Sequence, residues 1–137
     1  MSEENKRLGR EFYESINQGR LEVIDSHVAD NFVDHEEFPG LTQDKKGVRA
    51  FFQIMRTAFP DFHMTVEDLM AEGDKVIARL TMSGTHRGEF MGMPATGKKF
   101  EVSAIDIVRV VDGKAVEHWG VSDTMKMMQQ LGAIPGQ

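Results

Sequence analysis

The chain of 137 residues contains no cysteine, which excludes disulfides, zinc–thiolate sites and thiol nucleophiles. It also lacks any Lys/Arg cluster. Sixteen basic residues are interleaved with 22 acidic ones at a net charge of −6, which argues against nucleic acid or an anionic membrane as a partner. No apolar run approaches the length needed to span a membrane. The acidic, polar start Met1–Asn5 has neither the basic nor the apolar region of a signal peptide, so a cytoplasmic location is expected. The five histidines show no metal-ligand spacing, Ser103 and Ser122 stand outside any nucleophile motif, and Gly92–Gly97 lacks the Lys-Ser/Thr of a phosphate loop. Metal clusters, serine triads and phosphate loops therefore find no support. Repeats, low-complexity segments and linkers are missing as well.

What is present is ordinary globular composition, 40% hydrophobic, sufficient for one core and one domain over residues 1–137. Leu8, Phe12, Tyr13 and Ile16 form a helical stripe after Ser2, a usable N-cap, and Asn17-Gln18-Gly19 ends it. Leu21, Ile24 and Val28 predict a brief second helix over 20–29, followed by a short strand Phe32–His35. Phe38-Pro39-Gly40 breaks the chain. Asp44 caps a third helix carrying Val48, Phe51, Phe52, Met55 and Phe59, which Pro60 stops. The period then switches to two: Phe62, Met64 and Val66 in one strand, Val76, Ala78, Leu80 and Met82 in the next. Two further runs rich in β-branched residues flank Val111-Asp112-Gly113-Lys114, and Asp-Gly in that setting predicts a tight hairpin. A last helix places Met125, Met128 and Leu131 on one side and stops at Gly132.

Several polar residues stand where a plain core would not want them. Val102, Ala104, Asp106, Val108 and Val110 share one face by alternation, so Asp106 interrupts an apolar row. A carboxylate there must be paired, hydrogen-bonded or turned to a cavity. Glu117, His118 and Trp119 stand on the return strand, and Asp123 follows. Each has a structural reading beside the functional one: Asp123 as a helix N-cap, His118 as a satisfied inner histidine, Asp106 as a partner for an arginine. Their joint occurrence points to a site. The loop Gly84–Gly97 is rich in glycine and apolar residues and is expected to cover something, with His86 beside it at a strand end.

Three N-terminal helices followed by a strongly curved antiparallel sheet and a short C-terminal helix make an α+β cone. The open end of such a cone leaves an apolar cavity with a few polar groups. Ten methionines suit a pliable lining. Phe52 and Met55 of the third helix, Phe90 and Met91 of the covering loop, His86 and Trp119 are the candidate contacts for a small hydrophobic ligand.

Phe32-Val33-Asp34-His35, the loop Gly84–Gly97, the run Ile105–Lys114, Glu117-His118-Trp119 with Asp123, and Gln130-Leu131-Gly132 together resemble the SnoaL-like polyketide cyclases. These ester cyclases belong to the nuclear transport factor 2-like superfamily. The resemblance implies a homodimer formed through the sheet, a deep apolar pocket and no metal or organic cofactor. It also implies intramolecular aldol closure of a polyketide methyl ester or a similar hydrophobic carbonyl compound, with an acidic residue taking the proton. That acid lies two positions after the histidine matching His118, where this chain has Gly120, which has no proton to give or accept. Asp106 stands where those cyclases place a pocket histidine. Asp123 matches the corner that holds an acid in limonene-type epoxide hydrolases, and His35 the corner that holds the base in ketosteroid isomerases. The implied catalytic set is thus Asp106 or Asp123 with His118 or His35. A hydrolase of the epoxide-hydrolase type and a non-catalytic binding module are the alternatives. A side chain at 120 is expected to enter the pocket without clash, so that Gly120→Asp would add a carboxylate there.

Overall fold

The computed structural model describes residues 2–134. Helix α1 (Ser2–Asn17) and a single turn α2 (Val23–His27) precede strand β1 (Val28–Asp34). Helix α3 (Lys45–Ala58) leads into β2 (His63–Glu72), β3 (Lys75–Thr85), β4 (Lys99–Val111) and β5 (Lys114–Ser122), and α4 (Thr124–Gln130) closes the chain. The α+β architecture expected from the sequence is what forms. No helix among the described residues is long and apolar enough to cross a membrane.

The local causes are visible at the element ends. Asp44 accepts a hydrogen bond from the Gly47 backbone N–H at 3.0 Å and starts α3, occupying one of the orphan donors of the first turn. Asp112 and Gly113 both have positive φ (52° and 77°), the conformation a two-residue turn between twisted strands requires. Asn17 joins α1 to β2 through both backbone groups of Met64, at 3.0 and 2.7 Å.

Two expectations need correcting. The second helix is shorter than 20–29: Val28 begins β1 instead, pairing with Ala115. The sheet, ordered β1-β5-β4-β3-β2, is antiparallel except at that edge, where β1 runs parallel to β5. A parallel neighbour needs a long crossover, and here everything between β1 and β5 supplies it. Register shifts between Val66 and Asp68 in β2 and between Arg109 and Val110 in β4 interrupt the ladders, and such bulges add bend and twist. The curled sheet wraps a core in which Ile16, Ile24, Phe59, Phe62, Phe100 and Leu131 are fully buried. In α4 the buried side is Met127 and Leu131, while Met125 is exposed.

Candidate active site

The inner faces of β4 and β5 carry the polar groups. Period-two alternation turns Asp106 inward opposite Gly120, with Val108 opposite His118. Helix α1 packs on the neighbouring strands β2 and β3, and from it Tyr13, at 5% exposure, donates its hydroxyl to Asp106 Oδ2 at 2.8 Å. The other Asp106 oxygen accepts from His118 Nε2 at 2.7 Å. His118 Nδ1 donates to Asp34 Oδ1 at 2.8 Å, because β1 runs parallel to β5 and sets Asp34 beside His118. Asp34 Oδ1 also accepts the backbone N–H of Glu36 at 2.9 Å. The Glu36 carboxylate stands 3.8 Å from His118 Nε2.

These surroundings fix the charges. Burial alone would depress His118, but its hydrogen bonds to Asp106 and Asp34 and their negative charges outweigh that and raise it to about 10. It is therefore an imidazolium at neutral pH, with both N–H groups committed. Burial raises Tyr13 well above the ordinary phenol range, and the Asp106 charge adds to this. Glu36 is also raised, chiefly by burial, with Asp106 and Asp34 pushing the same way and His118 opposing. Glu36, Asp106 and His118 bring three donor atoms within 4.8 Å of one another, a spacing that could hold a cation. The proton on His118 Nε2 already fills that nitrogen's lone pair, so a metal would first have to displace it.

The cluster lines a cavity of about 350 Å³ whose other walls include Phe12, Phe32, Phe52, Met55, Phe90 and Met91. Of the residues expected from the sequence, Asp106, His118, Phe52, Met55, Phe90 and Met91 meet here. The other four lie elsewhere. Asp123 is exposed and caps α4, accepting the Lys126 backbone N–H at 3.2 Å, because the chain turns from strand to helix at that residue. His35 and Trp119 fall on the outer side of the sheet by alternation. There His35 stacks on Trp119 at 4.9 Å and bonds to Glu117 at 2.9 Å. His86 is wholly buried beneath the covering loop and held by Thr96 Oγ1 at 2.9 Å, so it ties down the loop and does not line the cavity.

The expectation for Gly120 also needs correction. The position does face the pocket, but the space is taken. A Cβ there would overlap the Glu36 carboxylate and stand 2.8 Å from His118 Cε1 and Nε2. Sequence reasoning missed Tyr13, Asp34 and Glu36. A signal for the last two lay in the alternation around His35, which the resemblance had singled out: its two neighbours must face the other way.

A family model described as SnoaL-like polyketide cyclase matches residues 7–131. Aklanonic acid methyl ester cyclase DnrD of Streptomyces peucetius is 30% identical over 134 residues, covering 91% of this chain and 88% of that protein. Among solved structures, TsrD from Streptomyces laurentii superposes with a TM-score of 0.85 at 31% identity, over 96% of both chains. IdmH from Streptomyces antibioticus gives 0.81 at 37% identity, over 93% of this chain and 98% of its own.

Proposed function

The chain belongs to the SnoaL-like polyketide cyclase family, and from that membership we propose that it catalyses intramolecular aldol-type closure of a hydrophobic, polyketide-like ester. The observation that carries the reading is the Tyr13–Asp106–His118–Asp34 hydrogen-bonded chain in the wall of an apolar cavity. A carbon flanked by carbonyl groups loses a proton to a carboxylate of the cluster. The freed electron pair forms the new carbon–carbon bond at a ketone of the same molecule, and the resulting alkoxide takes the proton back. Atoms balance without oxidant, reductant or water. The imidazolium of His118 keeps a positive charge beside the developing enolate. Fixed charges of this kind and positioned proton transfer each contribute on the order of 10²- to 10³-fold in rate. The apolar walls exclude water from a carbanion-like intermediate.

The test is incubation of the purified protein with a polyketide methyl ester of the kind named for DnrD, followed by chromatography and mass spectrometry. A ring-closed product of unchanged mass is expected. A product heavier by one water would instead favour a hydrolase. Saturable binding with no turnover would favour a binding module, a reading supported by the engagement of each Asp106 oxygen by a donor.

A further inference from the structure

We infer that Glu36 is the carboxylate that takes and returns the proton in this site, and that Gly120 is bare so that Glu36 can reach. The inference rests on the cyclase reading for the identity of the carbon acid, and it decides which carboxylate acts on it.

Three observations support it. The first is position. Glu36 follows β1 by two residues, and its backbone N–H is held on Asp34 Oδ1, which turns the side chain over β5 and into the cavity wall. Its Oε1 fills the volume that any side chain at 120 would need. The second is availability. Asp106 accepts from Tyr13 on one oxygen and from His118 on the other, and Asp34 Oδ1 accepts from both His118 and a backbone amide, so both carboxylates are held in place by the network. The Glu36 carboxylate stands beyond hydrogen-bond distance of the His118 Nε2, with the Ser122 hydroxyl as its neighbour. A base needs a free lone pair aimed at the substrate. The third is environment: partial burial and the neighbouring Asp34 and Asp106 carboxylates make Glu36 a stronger base than an exposed glutamate, with the charge of His118 and the Ser122 hydroxyl opposing them. The groups facing it are Asp34 of β1, Asp106 of β4, and His118 and Ser122 of β5.

In the reaction the carbon–hydrogen bond breaks toward Glu36 and its electron pair makes the ring bond. Glu36 then protonates the alkoxide, leaving the enzyme unchanged. Asp106 and Asp34 act as positioning residues for His118.

The experiment uses the full chain and the variants Glu36→Gln and Glu36→Ala, with Asp123→Asn as a control outside the site, each checked for an unchanged melting transition. Two readouts are taken: cyclisation of a polyketide methyl ester, and exchange of the acidic carbon-bound proton of a simple β-keto ester in deuterated water, which needs a base but no ring closure. Both Glu36 variants are expected to lose about 100-fold or more in each readout. The acidic limb of the parent's kcat/KM profile is expected to vanish in Glu36→Gln. A parent that cyclises while Glu36→Gln stays within about threefold and keeps the same limb overturns the assignment and leaves the cyclase reading standing. Exchange without cyclisation in the parent, lost in Glu36→Gln, supports the assignment and overturns the cyclase reading. A parent that does neither overturns both.

Discussion

Asp106 is the residue on which three elements converge, since it joins Tyr13 of α1 to His118 of β5 from its own place on β4. Asp106→Asn keeps the shape but removes the charge, and an amide nitrogen must then face one of two donors. We expect a folded protein whose turnover falls about 100-fold or more, with the His118 imidazole titrating at lower pH by NMR. A titration unchanged from the parent would mean that Asp106 does not set the charge of His118. The same cluster gives stability a pH dependence. The folded pKa of His118, about 10, lies above its ordinary 6.5. The stabilisation is therefore complete below about pH 6.5 and lost as pH rises toward 10. Its size is on the order of a few kcal/mol. Thermal melts should fall more steeply across that window in the parent than in His118→Gln, and parallel curves would count against the charged pair.

Among the elements, α3 carries the clearest test of a local rule. Asp44→Ala removes the only side-chain oxygen on the Gly47 amide among the described contacts and should cost about 1 kcal/mol, lowering Tm by roughly 4 °C. Asp44→Asn should recover most of the loss. The helices and the Asp112–Gly113 hairpin could be read from the chain because their signals lie within a few residues of one another. Strand β1 could not be read in full. Nothing near Val28 announces a parallel partner almost ninety residues away, at Ala115. Without that pairing Asp34 and Glu36 look like ordinary acids around a turn, and His35 takes the attention.

For the whole molecule, the outer face of the sheet remains to be covered. Ile77 pairs with Ile107 and Ile107 with Trp119, while Ile105 pairs with Val121, so one contiguous apolar strip crosses three strands. Val121 is 69% and Ile105 42% exposed, which is costly for β-branched side chains left in water. We propose that a second copy of the chain covers this strip, because the exposed apolar residues lie together on one face of neighbouring strands and a two-fold axis would set the same patch against itself. Light scattering at micromolar concentration should give twice the chain mass, and Val121→Lys with Ile105→Lys should give a monomer. A parent that runs as a monomer would sink the proposal.

The sequence by itself determined the α+β class, the helix that ends before Pro60, the hairpin at Asp112–Gly113 and the inward aim of Asp106 and His118. Each of these follows from periodicity or turn chemistry, which act over short stretches of chain. Only the tertiary structure decided which acids gather around His118. Alternation says which face a side chain takes, but the crossover that lays β1 beside β5 decides what it meets there. That single pairing brings in Asp34 and, two residues on, Glu36, and it explains the bare backbone at Gly120, whose missing side chain is room for a carboxylate from another element.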